Sequence, residues 1–150
     1  MKTMSSLDFE QISPGQALPP LAKHVTIEQI RQYAEASGDR NPIHLDETFA
    51  RSAGLPGVIA HGMLTMAFAN QMVTDWLGHR SLLRSLNGRF AGMVLPGDDV
   101  TCSGSVASKD DETRRVVINL VVTNQRGEKV FNKGVAEAEF PPQRSNTHAA

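Results

Sequence analysis

The sequence predicts an α+β fold in which an antiparallel β-sheet curls around one long helix. Three observations carry this. The hydrophobic period changes along the chain, from helical spacing before residue 80 to alternation after it. The stretch 62–77 is the most apolar in the protein and is bounded by Gly62 and Gly78. The strand candidates of the second half are joined by short turn-forming clusters, which makes consecutive strands mostly antiparallel neighbours.

The bulk properties set the class. At 150 residues the chain suits one domain spanning 1–150, with a core of about residues 10–140 and loose termini. A formal charge of −1 speaks against nucleic acid as a partner, because phosphate neutralisation needs a clustered positive surface. Arg114-Arg115 reads as part of a solvated face. Cys102 is the only cysteine, so an intrachain disulfide cannot form, which suits a reducing compartment. It lies in a strand-like run with no base beside it in sequence and reads as a small core residue. Lys2 is not followed by the apolar run of a signal peptide. Asn70, Gln71 and Asp75 interrupt the best candidate for the roughly 20 apolar residues of a membrane span. The expectation is a soluble cytoplasmic protein with no nucleic-acid or membrane partner.

Met1 to Ser6 carry no pattern. Phe9 to Leu21 is rich in Gly and Pro and has room for one short irregular strand. Thr26-Ile27-Glu28-Gln29 matches a capping box, with Val25 and Ile30 placed as a hydrophobic staple. Ile27, Ile30 and Tyr33-Ala34 form the apolar stripe of a helix that ends at Gly38. Asp46 caps a short helix through Ala53, stopped by Gly54. Leu55-Pro56-Gly57 is a turn, and Val58-Ile59-Ala60 is a brief apolar approach to Gly62. The helix from Gly62 to Leu77 would be about 24 Å long and is apolar around nearly its whole circumference, so it should be surrounded by core.

Four strand candidates follow: Leu82–Leu95, Val100–Ser108, Arg114–Asn124 and Lys129–Phe140. Val116, Ile118, Leu120 and Val122 alternate cleanly, and Val117 and Val121 make the other face partly apolar. Pro141-Pro142 ends the last strand, and the polar tail after it should be disordered.

The stretch Ser37-Gly38-Asp39-Arg40-Asn41-Pro42-Ile43-His44 cannot be one continuous helix. Gly38 suits a helix C-terminus, while Pro42 lacks an amide hydrogen and pushes Asn41 toward extended geometry. Asp39 and His44 therefore sit on a shaped loop, where polar side chains can converge on a small ligand. Taken alone, Asp39 and Asn41-Pro42 read more simply as turn residues. The second signal, Ala60-His61-Gly62-Met63-Leu64, opens the apolar helix. His61 reads as a residue that caps or packs the helix start, and His24 and His79 as surface residues.

These residues are familiar as a set. Tyr33 through His44 closely resembles the signature of the MaoC-like (R)-specific enoyl-thioester hydratase/dehydratase family, with Ser37-Gly38-Asp39, Asn41-Pro42 and His44 in register. Ala60-His61-Gly62-Met63-Leu64 is similar to the start of that family's central helix. Arg89-Phe90 and Leu95-Pro96-Gly97-Asp98 are similar to the strand and turn that follow. The resemblance spans residues 10 to 140. It implies a hot-dog fold in its single form, paired as a homodimer or with a related hot-dog subunit as a heterodimer. It implies reversible (R)-specific water addition to trans-2-enoyl thioesters of coenzyme A or acyl carrier protein. By the same resemblance Asp39 and His44 are catalytic and hold the water, and the Gly62 amide binds the thioester oxygen.

The chemistry suits those residue types. A water must be aimed and deprotonated as it attacks the β-carbon, and a proton must reach the α-carbon. A carboxylate and an imidazole around one water can do both. Charge growing on the thioester oxygen needs a donor, and the first amides of a helix have no partner within it. Glycine lets the carbonyl approach closely. No metal or other cofactor is required, although Asp39, His44 and His61 are all residue types that can bind one. Two alternatives differ in class: a hot-dog acyl thioesterase, and a non-catalytic acyl-binding partner subunit. Sequence alone does not divide the acid and base roles between Asp39 and His44.

Overall fold

A computed structural model describes residues 7–143. The expectations for Met1 to Ser6 and for the tail beyond residue 143 lie outside the described residues. Five strands form one antiparallel sheet in the order β1-β3-β4-β5-β2. They are β1 (Leu21–His24), β2 (Leu82–Phe90), β3 (Asp99–Asp110), β4 (Arg115–Asn124) and β5 (Lys129–Glu139). Three α-helices precede β2: α1 (Ile27–Ser37), α2 (Glu47–Ser52) and α3 (Gly62–Leu77). Helix α3 touches all five strands, so the sheet curls around it. This is the predicted α+β arrangement.

The helix signals act as their chemistry dictates. Thr26 Oγ1 accepts from Gln29 N–H and the Gln29 side chain accepts from Thr26 N–H, each at 3.1 Å, completing the capping box before α1. Val25 and Ile30 are both fully buried. Gly38 takes the left-handed conformation at φ 78° and ends α1. Asp46 caps α2 through Phe49 N–H at 3.0 Å. On β4 the alternating Val116, Ile118, Leu120 and Val122 all face the core.

The short irregular strand expected in Phe9–Leu21 is present in outline: Ala17 bridges Ser105 on β3, with Gly15 N–H donating to Val106 O and Leu18 N–H to Gly104 O. Pro19-Pro20 cannot donate to a ladder, so the regular strand β1 starts only after them. Three expectations need correction. The candidate Leu82–Leu95 stays in the sheet only to Phe90; Ala91 and Gly92 both donate to Val130 O, and the chain leaves toward the Pro96-Gly97 turn. Helix α3 is not surrounded. Met63, Ala67, Asn70, Gln71, Thr74 and Asp75 form an exposed face, and Met63 is 53% exposed. Arg114 is no solvated surface residue. Its guanidinium lies 4.6 Å from the Phe9 ring and 2.6 Å from Glu10 Oε1, and holds the Glu10 carboxyl down at about 2.

Two smaller readings are as expected. Cys102 is fully buried, and burial pushes its thiol up to about 11, far from reactive. His24 pairs with Asp99 at 2.7 Å on the surface. No helix among the described residues is long and apolar enough to cross a membrane.

Candidate active site

The loop after α1 is built by short-range hydrogen bonds. Ser37 Oγ accepts from Asp39 N–H, Asp39 Oδ1 from Asn41 N–H and Asn41 Oδ1 from Ile43 N–H, each at 3.2 Å. Pro42–His44 then forms one 3₁₀ turn, with His44 N–H donating to Asn41 O at 3.0 Å. Asp39 thus has the turn role that the simpler reading gave it. Only one of its oxygens is engaged there, and the residue is exposed.

His44 lies inside, 7% exposed. Its Nδ1 is 2.7 Å from Ile59 O. A carbonyl can only accept, so Nδ1 carries the proton and Nε2 presents the lone pair when the ring is uncharged. The acceptor is held in turn, because Ile59 N–H donates back to Ile43 O at 3.2 Å and Ala60 N–H to Val94 O at 2.8 Å. The apolar approach to Gly62 is therefore pinned on both sides.

His61 is the N-cap residue of α3 but makes no side-chain cap bond. Of the two roles expected, it packs. The imidazole stacks on His44 with centroids 3.8 Å apart at 25°, and meets Tyr33 edge-on at 4.8 Å. Its Nε2 donates to Asp39 O at 2.9 Å. One ligand atom each from Asp39, His44 and His61 lies within 4.8 Å of the other two. The two residues singled out as catalytic are thus brought together, with His61 between them. A metal suits this set poorly. The stacked rings carry their lone pairs in near-parallel planes, and cannot both aim at one ion about 2.0–2.1 Å away.

Gly62 opens α3 beside this cluster. The first bonds of the helix run from Leu64 and Thr65 N–H to His61 O, and Gly62 N–H has no acceptor among the described residues. An unpartnered amide at the positive end of a 16-residue helix can stabilise an oxyanion. The Phe90 ring packs against the Cα side of Gly62, where a β-carbon would stand.

Two supports escaped the sequence reading. Glu47 on α2 accepts from Val58 N–H at 3.0 Å, and this bond, with help from Arg51, keeps the Glu47 carboxyl below its ordinary range. It ties α2 to the segment leading into α3. Tyr33 props His61, and its place in the motif was the one available signal.

The model for the MaoC like domain matches residues 9–127. The chain belongs to the MaoC-like dehydratase family. Among solved structures it resembles the R-hydratase PhaJ1 of Pseudomonas aeruginosa (30% identical, TM-score 0.81, 90% of this chain and 86% of that one). It also resembles the (R)-hydratase of A. caviae involved in PHA biosynthesis (26% identical, TM-score 0.79, 88% and 99%). These neighbours share the hot-dog fold found here. Among curated proteins, the fatty acid synthase subunit beta of Gibberella zeae is 36% identical over 118 residues. That match spans 77% of this chain but 6% of the synthase subunit.

Proposed function

We propose that this chain catalyses the reversible (R)-specific hydration of trans-2-enoyl thioesters to (R)-3-hydroxyacyl thioesters in fatty-acid metabolism. Coenzyme A or an acyl carrier protein would be the carrier. The observation that supports it is the meeting of the Asp39 carboxylate and the His44 imidazole beside the unpartnered Gly62 amide. The (R)-hydratases that share the fold favour the same reading.

In the hydration direction, the water oxygen bonds to the β-carbon while Asp39 and His44 together take one of its protons. The π electrons move onto the thioester oxygen as an enolate, which Gly62 N–H receives. When the enolate collapses, a proton passes from the pair to the α-carbon. Because His44 Nδ1–H is committed to Ile59 O, Nε2 is the atom through which the imidazole exchanges protons. Proton transfer and electrostatics suffice, so the scheme draws on no metal or organic cofactor.

The test is direct. Purified protein given short and long trans-2-enoyl thioesters on both carriers should remove the conjugated double bond and yield the (R) alcohol. An (S) product would reject this reading. Release of free thiol without hydration would mark a thioesterase instead.

A further inference from the structure

Asp39 and His44 are joined by a loop whose own bonds set its local shape but not its place against α3. Three longer bonds do that, one of them from Ile59 N–H to Ile43 O at 3.2 Å. His44 Nδ1 reaches Ile59 O at 2.7 Å, and His61 Nε2 reaches the Asp39 carbonyl at 2.9 Å across 22 positions of sequence. The anchoring groups and the Gly62 amide all belong to the run 59–62. That run is a ruler against which the two functional side chains are set.

His61 is an odd choice for packing. It is 2% exposed, yet its Nδ1 is buried with no hydrogen-bond partner among the described residues. A buried acceptor left unpaired costs stability. Phenylalanine would stack on His44 and meet Tyr33 without that cost. What the histidine adds is the Nε2–H bond to the backbone of Asp39.

We propose that His61 is a positioning residue, whose single ring holds the Asp39 backbone by a hydrogen bond and the His44 imidazole by stacking, and so sets their spacing. This rests on the reading of Asp39 and His44 given above. His61 itself touches no reacting atom in the scheme.

The full chain carrying His61→Phe keeps the stack and loses the donor. Its kcat should fall by about 10²-fold, the scale of an ångström-sized misplacement, with KM within about threefold and an unchanged or higher melting temperature. His61→Gln places an amide N–H at the same reach and should recover kcat to within about tenfold of native. A structural role cannot produce that split, since it would move the melt and would not follow the donor. Should His61→Phe not fold, His61→Met against His61→Gln supplies the same comparison. Native-like kcat in the variant without a donor overturns the proposal. So does equal loss in the variants with and without a donor. Failure of the underlying chemistry has a different sign: Asp39→Asn would then keep native turnover.

Discussion

The ring of Phe90 stands 3.1–3.2 Å from the position a β-carbon on Gly62 would take. That is tighter than ordinary contact, so a methyl there must push the ring aside. Phe90 is 52% exposed and has somewhere to go. Alanine is also the better helix former, by up to about 1 kcal/mol. We expect Gly62→Ala to melt within a few degrees of native, because the two effects oppose one another. Turnover should fall, by up to about 10²–10³-fold if the methyl removes the amide's use as a donor. Unchanged kcat beside a native melt would take Gly62 out of the oxyanion role.

Asp98 is a structural anchor within the Leu95-Pro96-Gly97-Asp98 turn. It is 5% exposed, and its carboxylate accepts from Leu95 N–H at 3.0 Å and from the Gln125 amide at 2.9 Å. Burial alone would raise its pKa. The bonds from Gln125 and Leu95, with the Arg126 guanidinium, outweigh that and lower it. Below about pH 4 the unfolded chain therefore binds the proton more readily than the folded one, and stability falls with pH. Melting curves from pH 7 to pH 3 should show a shallower acid loss for Asp98→Asn than for native protein. Asp98→Ala, which strands the Leu95 N–H, should cost about 1–3 kcal/mol at neutral pH. Parallel pH curves for native and Asn variant would show that Asp98 is not the sensor.

Strand β2 is the exposed edge of the sheet and nine residues long, whereas the other edge, β1, has four. Leu82 and Phe90 at its ends and Met63 on α3 are each more than half exposed. An apolar edge of that length is a template for pairing. We expect two subunits to associate through this side, either two copies or one copy with a related hot-dog subunit. Sedimentation should give twice the chain mass, and Leu82→Lys should shift it toward one. A fully active single chain at assay concentration would exclude the expectation.

What could be read in the sequence was what depends on neighbours along the chain. Thr26 with Gln29, Gly38 after α1 and the alternation from Val116 to Val122 are local rules, and each formed as read. The motif around Asp39 and His44 also led to groups that do meet. The face of α3 from Met63 to Asp75 is uncovered, and Asn70, Gln71, Thr74 and Asp75 recur along it at helical spacing, a signal that the count of apolar residues around the helix obscured. The rest depended on register and on partners far away. Phe131 packs so closely on Gly88 and Gly134 that a β-carbon on either would lie within 3 Å of its ring. Gly88 looked like any other residue of a strand candidate. His61 carried no legible signal for its bond to Asp39, because that contact spans two loops.

The last prediction asks whether Asp39 and His44 work as one unit. Both would address the same water, and removing either leaves that water misaimed and short of a proton acceptor. The surviving partner then has little to act on. Groups coupled in this way show strongly non-additive losses. Asp39→Asn and His44→Gln should each lower kcat by more than the roughly 10²–10⁴-fold of ordinary acid–base help. The double variant should be little worse than the poorer single one. Folding should survive in all three. Asparagine keeps the oxygen that accepts from Asn41 N–H, and Asp39 is exposed. His44 is buried, so His44→Gln should melt a little lower once its bond to Ile59 O is disturbed. Independent roles predict that the losses multiply, and a purely structural role predicts melting without a specific fall in kcat. A double-mutant cycle in kcat, run beside melting curves, separates these outcomes. Multiplied losses would rule out the shared water.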